Sequence, residues 1–250
     1  MENISVNRRS SNLSKNYAVI LSGGIGTRMH LGDFPKQYLK VKGRMILEYT
    51  LDVFEEAPPV DAMIIVMADT WREKLSDYLQ SKYHKLIGFA SPGSIRQESI
   101  LSGLKMCMEL SESADDRVII HDGVRPLVTC ELINECFKAV EEYEGCLPVV
   151  PATDTVYYSE DGKGLNKLLD RSKLYMGQSP EAFWLHKYYK AHEGKSHEFL
   201  CQMRGTTEIA YAAGMNICLI QGDSMNFKIT NQADLRRFKL IAEETGGPAL

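Results

Sequence analysis

No stretch of this 250-residue chain approaches the run of about eighteen apolar residues needed to span a bilayer. The sequence therefore points to no membrane partner. Its six cysteines (107, 130, 136, 146, 201 and 218) include no C-x-x-C pair. Neither a zinc site nor a disulfide framework is suggested, and the thiols read as those of a reduced, cytoplasmic protein. An excess of positive charge is missing too: 29 Lys and Arg against 33 Asp and Glu leave a net charge of −4. A broad surface for a nucleic-acid backbone is thereby excluded, and any basic residue that matters must act locally. Residues 1–16 are polar and lack the apolar core of a signal peptide, so they are expected to be a disordered leader. The rest, 17–244, has the size and the apolar content of one domain.

Apolar, β-rich runs alternate with helical patterns along that domain. Strands are expected at Tyr17–Leu21, Met63–Met67, Leu86–Ala90, Val118–His121, Gly145–Val150 and Ile217–Gln221. Helices are expected near Met45–Glu56, Thr70–Ser81, Ile95–Glu109, Cys130–Tyr143 and Thr207–Ala213. The alternation predicts an α/β fold, a mostly parallel sheet with helices on both faces. The segment at about 151–175 breaks it. Extended pieces around the polar turn Ser159–Lys163 suggest a protruding β-arm, which cannot bury both faces alone and so invites a second copy of the chain.

The first expected strand runs into Leu21-Ser22-Gly23-Gly24-Ile25-Gly26-Thr27-Arg28-Met29, with Pro35-Lys36-Gln37 shortly after. Glycines let backbone N–H groups close on a ligand, and Arg28 and Lys36 would neutralise a polyphosphate. Two familiar cradles fail on single residues. The dinucleotide fingerprint G-x-G-x-x-G would need glycine where Met29 stands, and the P-loop ending at Gly194-Lys195-Ser196 would need one at Tyr189.

Ligands of open α/β sheets bind beyond the carboxyl ends of the strands, which makes the polar residues there the candidates. Pro92, Gly93, Ser94, Arg96 and Ser99 follow the third expected strand, and Ser94 is also a favoured helix N-cap type. His121-Asp122-Gly123-Val124-Arg125-Pro126 follows the fourth. Asp122 suits Mg²⁺, which takes few carboxylates besides phosphate oxygens, and Arg125 could hold a phosphate. His121 reads as a structural hydrogen-bonding residue, because an ionised phosphate nucleophile needs no base. Asn226-Phe227-Lys228-Ile229-Thr230 places a lysine in what reads as a late strand.

Five blocks occur in order: G-G-x-G-x-R-M, P-K-Q, G-x-x-R-x-x-S, H-D-x-x-R-P and N-x-K-[IV]-T followed by Asp234-Leu235. With them the chain resembles the cytidylyltransferases that make CDP-alditols, the methylerythritol-phosphate and ribitol-5-phosphate enzymes, from about Tyr17 to Glu243. The resemblance implies that Leu21, Ser22, Gly23, Gly24 and the Pro92–Ser99 loop bind CTP. Arg28 and Lys36 would stabilise the charge growing on the α-phosphate and pyrophosphate. Arg171 and Lys228 would position the alditol phosphate, helped by Arg125, Thr155 and Ser179, and Asp122 would hold Mg²⁺. The arm would reach the partner's pocket in a homodimer. Tyr175-Met176-Gly177-Gln178-Ser179-Pro180 resembles the ribitol enzymes, which makes D-ribitol 5-phosphate the expected acceptor and methylerythritol phosphate the alternative. A catalytically silent scaffold is the other reading, opposed by the presence of Arg28, Lys36, Arg171 and Lys228. One departure stands out: relatives carry Thr-Asp or Ser-Asp where this chain has Thr206-Thr207.

Overall fold

The computed structural model describes residues 14–24 and 34–244. The chain opens with β1 (Asn16–Leu21), a two-strand hairpin of β2 (Lys40–Val41) and β3 (Arg44–Met45), and helix α1 (Ile46–Glu56). Then follow β4 (Ala62–Val66), α2 (Asp69–Lys82), β5 (Leu86–Ala90), α3 (Arg96–Leu110), β6 (Arg117–Asp122) and α4 (Cys130–Ala139). Next come β7 (Gly145–Pro151), the short strands β8 (Tyr157–Tyr158) and β9 (Lys167–Leu168), β10 (Tyr175–Gly177) and β11 (Glu181–Trp184). The chain continues through α5 (Leu185–His192), α6 (His197–Gln202), α7 (Thr206–Ala212), β12 (Ile217–Gln221) and α8 (Gln232–Glu244).

Eight strands form the main sheet, in the order β10-β7-β11-β6-β1-β4-β5, with β12 also pairing with β7. The strands β6, β1, β4 and β5 run parallel. Strand β11 is antiparallel to both of its neighbours, β6 and β7. The parallel half is buried on both faces, which is why β4 reads as the unbroken apolar run Ala-Met-Ile-Ile-Val. Side chains alternate between faces: Ala18 and Ile20 pack with α1, α2 and α4, whereas Tyr17 and Val19 pack with α3, α5, α6 and α7. A third cluster joins α8 to α1 and the hairpin through Phe238, Leu235, Tyr49 and Val41.

Each expected strand and helix exists, with ends moved by a few residues, except the late strand at Asn226–Thr230. Three corrections are needed. The segment Asn226–Thr230 is no strand: its backbone is irregular and is tied to the turn after β6 by Ile229 N–H donating to Val124 O at 2.9 Å. The leader ends sooner than residue 16, because Asn16 begins β1 and the Lys15 amide donates to Asp116 Oδ1 at 2.7 Å. Residues 1–13 lie outside the described residues. Strand β11 was not expected, since four residues with Glu181 at one end show neither alternation nor a long apolar run. It is nonetheless a central strand.

The arm expected at about 151–175 is present as the two-residue pair β8 and β9, with β10 returning along the sheet edge. Its large apolar side chains face outward: Tyr157 is 61%, Leu165 60% and Leu168 69% exposed.

Candidate active site

A cleft of about 420 Å³ opens at the carboxyl ends of β1 and β6 and the loop after β5. It is lined by the β1 loop (Leu21, Ser22, Gly23, Gly24), by Lys36 and Gln37, by the start of α3 (Gly93, Ser94, Ile95, Arg96, Ser99), and by Asp122, Val124 and Lys228.

The β1 loop is held from below. Gln37, itself buried, donates through Nε2 to Ser22 O at 2.6 Å and to Gly24 O at 2.9 Å. The Tyr38 hydroxyl reaches Ser22 O at 3.2 Å. Those bonds occupy carbonyls, so the loop can turn its amides toward a ligand. The two loops also touch: a Cβ on Gly23 would sit 2.5 Å from the Pro92 Cβ, so only glycine allows the approach.

The start of α3 forms the opposite wall. Ser94 is not the N-cap; Ile95 occupies that place without a side-chain bond. Instead the Glu98 carboxylate accepts from the Ser94 amide and hydroxyl, both at 2.8 Å. The Ser99 hydroxyl accepts from the Gly93 amide at 3.1 Å. Isoleucine displaced serine from the cap because the loop is closed from within the helix, by Glu98 and Ser99.

Asp122, at the end of β6, organises the cations. Its Oδ1 lies 3.2 Å from Arg96 Nη2, and its Oδ2 lies 3.0 Å from Lys228 Nζ and 3.5 Å from Arg125 Nε. The side chain is 10% exposed, and burial opposes its ionisation. Lys228, Arg96 and Arg125 overcome that opposition and hold the carboxyl well below the usual carboxylate range. Lys36 is 8% exposed and reaches the same cleft from the far side. His121, next in the strand, faces the other way, against Phe54 at 5.1 Å between ring centroids, and burial pushes its pKa down to about 3. It is neutral and structural, as expected of it.

Not every candidate reaches the cleft. Ser179 is buried below it and absent from the lining, its hydroxyl accepting from the Asp122 amide at 3.1 Å and so bracing Asp122. Arg125 is outside the lining and donates to Asn226 O at 2.6 Å, bracing the segment that carries Lys228. Thr155 and Arg171 are exposed on the arm, where Arg171 donates to Thr153 O at 2.8 Å. Arg28 lies outside the described residues. Gln37, Asn226 and Glu181 were given no role of their own by the sequence reading. Gln37 belonged to the P-K-Q block, yet only its side-chain bonds reveal its task.

Asp122 is the one carboxylate lining the cleft among the described residues, and both of its oxygens face cations. No group of three His, Cys, Asp or Glu that could hold a metal occurs among the described residues. With one carboxylate at hand, a magnesium ion there would take most of its ligands from the phosphate oxygens of a bound nucleotide and from water.

A family model, IspD: 2-C-methyl-D-erythritol 4-phosphate cytidylyltransferase, matches residues 17–244. The chain belongs to the IspD family. It is a nucleotidyltransferase of the cytidylyltransferase kind. Among its relatives, the ribitol-5-phosphate cytidylyltransferase of Vibrio parahaemolyticus is 31% identical over 91% of this chain and 96% of its own length. The 2-C-methyl-D-erythritol 4-phosphate cytidylyltransferase of Caldicellulosiruptor bescii is 32% identical over 92% of this chain and 98% of its own. The crystal structure of the 4-diphosphocytidyl-2C-methyl-D-erythritol synthase from Anaerococcus prevotii superposes with a TM-score of 0.77 at 24% identity, covering 92% and 96% of the two chains. That likeness shows the fold. Within this IspD-family chain, the departure noted in the sequence sits behind Arg96: Thr206 accepts from its guanidinium and Thr207 donates to Glu181.

Proposed function

We propose that the chain transfers CMP from CTP to D-ribitol 5-phosphate, giving CDP-ribitol and pyrophosphate. The observation that carries this reading is the cation set: Lys36, Arg96 and Lys228 line one cleft opposite a glycine loop, with Arg125 braced behind. Two anionic phosphates must meet there, and such a reaction needs positioning and neutralisation more than a covalent group on the protein. An acceptor phosphate oxygen attacks the α-phosphorus, the bond to the bridging oxygen breaks, and its electron pair leaves with pyrophosphate. No proton has to move, in keeping with neutral, buried His121. Magnesium would enter on the triphosphate as part of the nucleotide substrate. The acceptor is chosen on the Tyr175–Pro180 block and on relatives named for ribitol 5-phosphate. Pyrophosphate release with CTP and Mg²⁺ tests it, with ribitol 5-phosphate and methylerythritol phosphate offered in parallel. Turnover with the first is the expected result, turnover with the second alone moves the protein to the other branch, and release with neither overturns both.

The arm supports a homodimer. Tyr157 and Leu168, on a strand pair too small to hold itself, and Leu165, in the connection between its strands, are exposed large apolar residues that a second copy would cover. The arm also carries Thr155 and Arg171, which the cleft of one chain does not receive. Leu168→Asp is expected to yield a monomer by sedimentation velocity and to lower turnover at least tenfold. A fully active monomer would remove the arm from the site.

A further inference from the structure

We propose that Glu181 is a positioning residue for nucleotide binding, fixing the Arg96 guanidinium at the cleft wall through Thr206 and Thr207. The inference rests on the CTP reading above and adds to it a residue outside the cleft lining.

Glu181 starts β11 and pairs in register with Ile120 of β6. Asp122 stands two residues beyond Ile120, so both carboxylates project from the same face of the sheet, toward α3 and α7. Phe183, two residues along β11, confirms that face by stacking on Tyr188 of α5 with centroids 4.0 Å apart. Arg96 descends from the first turn of α3 between the two carboxylates. Its Nη2 reaches Asp122 Oδ1 at 3.2 Å and its Nη1 donates to Thr206 Oγ1 at 2.6 Å. Accepting from Arg96 leaves the Thr206 hydroxyl proton free to donate onward to Glu181, and the Thr207 hydroxyl donates to Glu181 Oε2. Both hydroxyls of the Thr206-Thr207 pair thus end on one carboxylate.

A carboxylate 6% exposed in the middle of a sheet is costly to keep unless something needs it. Burial raises the Glu181 pKa, and the Arg96 charge opposes that rise. The return for the cost is orientation. A guanidinium drawn by Asp122 alone would collapse onto it; with a second acceptor chain on its other edge, the planar fork is held at two points and its outer edge faces the cleft. Glutamine has the same shape but one acceptor oxygen fewer: its NH₂ meets either Thr206, where it competes with Arg96 for the hydroxyl oxygen, or Thr207, whose hydroxyl must then accept instead of donate.

The test is CTP binding by calorimetry in the presence of Mg²⁺, with thermal unfolding alongside, for the full chain and three variants. Wild type that fails to bind CTP overturns the proposed function and not this step. Given wild-type binding, Glu181→Gln and Thr207→Val are each expected to weaken CTP about tenfold, with Tm of Glu181→Gln unchanged or higher because a buried charge has been removed. The Glu181→Gln/Thr207→Asp double variant returns a carboxylate to the place where the Thr207 hydroxyl meets Glu181, and is expected to recover most of the affinity. Wild-type affinity in Glu181→Gln would overturn the proposal. So would weak binding with a parallel fall in Tm and no recovery in the double variant, because that is how simple packing damage behaves.

Discussion

Replacing Asp122 by asparagine is expected to lower turnover about 10²–10³-fold and to remove about 3–5 kcal/mol of folding stability. Three cations converge on this carboxylate, Arg96 and Lys228 within 3.2 Å and Arg125 at 3.5 Å. The asparagine side chain has the same outline but no charge, so three partly buried positive groups are left repelling one another. Both readouts should therefore move together, in pyrophosphate release and in the chemical denaturation midpoint. Lys228→Ala gives the contrast: the same order of loss in turnover with folding stability changed by about 1 kcal/mol or less, since it removes one of three like charges. Asp122→Asn that lost activity at unchanged stability would mean that the cations keep their places without it. Its part would then be confined to the ligand.

Acidification from pH 7 to pH 5 is expected to lower the folding free energy by about 4 kcal/mol through two buried histidines. Burial pushes His121 down to about 3 and His192 to about 4. Both are neutral in the fold, whereas in the unfolded chain each takes up a proton near pH 6.5. Below that value the unfolded state binds more protons, so stability falls as pH falls, by about 2 kcal/mol for each histidine at pH 5. Glu181 runs the other way. Its pKa is raised in the fold, so its contribution is fully present at low pH and is lost as pH rises through the folded value. Asp122 and Glu48, held low, keep their stabilisation until pH drops below the ordinary carboxylate range. Urea denaturation at the two pH values measures the difference, and His192→Gln is expected to show about half of it. A pH-independent midpoint between 5 and 7 would show that these rings are not buried neutral.

Much of the fold was legible because its strands are short apolar runs with turn residues between them, and that pattern survives without tertiary knowledge. Helix α8 was missed although its cues were present: Leu235, Phe238 and Ala242 at helical spacing, behind Asn231, whose side chain accepts from the Ala233 and Asp234 amides. Strand β11 carried no such cue; only its neighbours β6 and β7 make it a strand. At the site, charged residues at strand ends were readable by type and place, hence Lys36, Arg96, Asp122 and Lys228. What was not readable is which of them touch each other. Ser179 and Arg125 look like ligand contacts in the sequence and turn out to be struts, because their partners, Asp122 and Asn226, come from distant segments. Glu181 is the converse, a residue to which the sequence assigned no role and which the sheet register places.

The cleft takes Ser22 from the beginning of the domain and Lys228 from near its end, with Ile229 stitched to the distant Val124. During synthesis, then, the nucleotide loops are finished long before the lysine that faces them has left the ribosome. Every partly made chain carries a half-built pocket. Lys228 joins the cleft only with the last two dozen residues of the domain, as α8 docks on α1, and a chain cut short before that point lacks one of the cations of its wall.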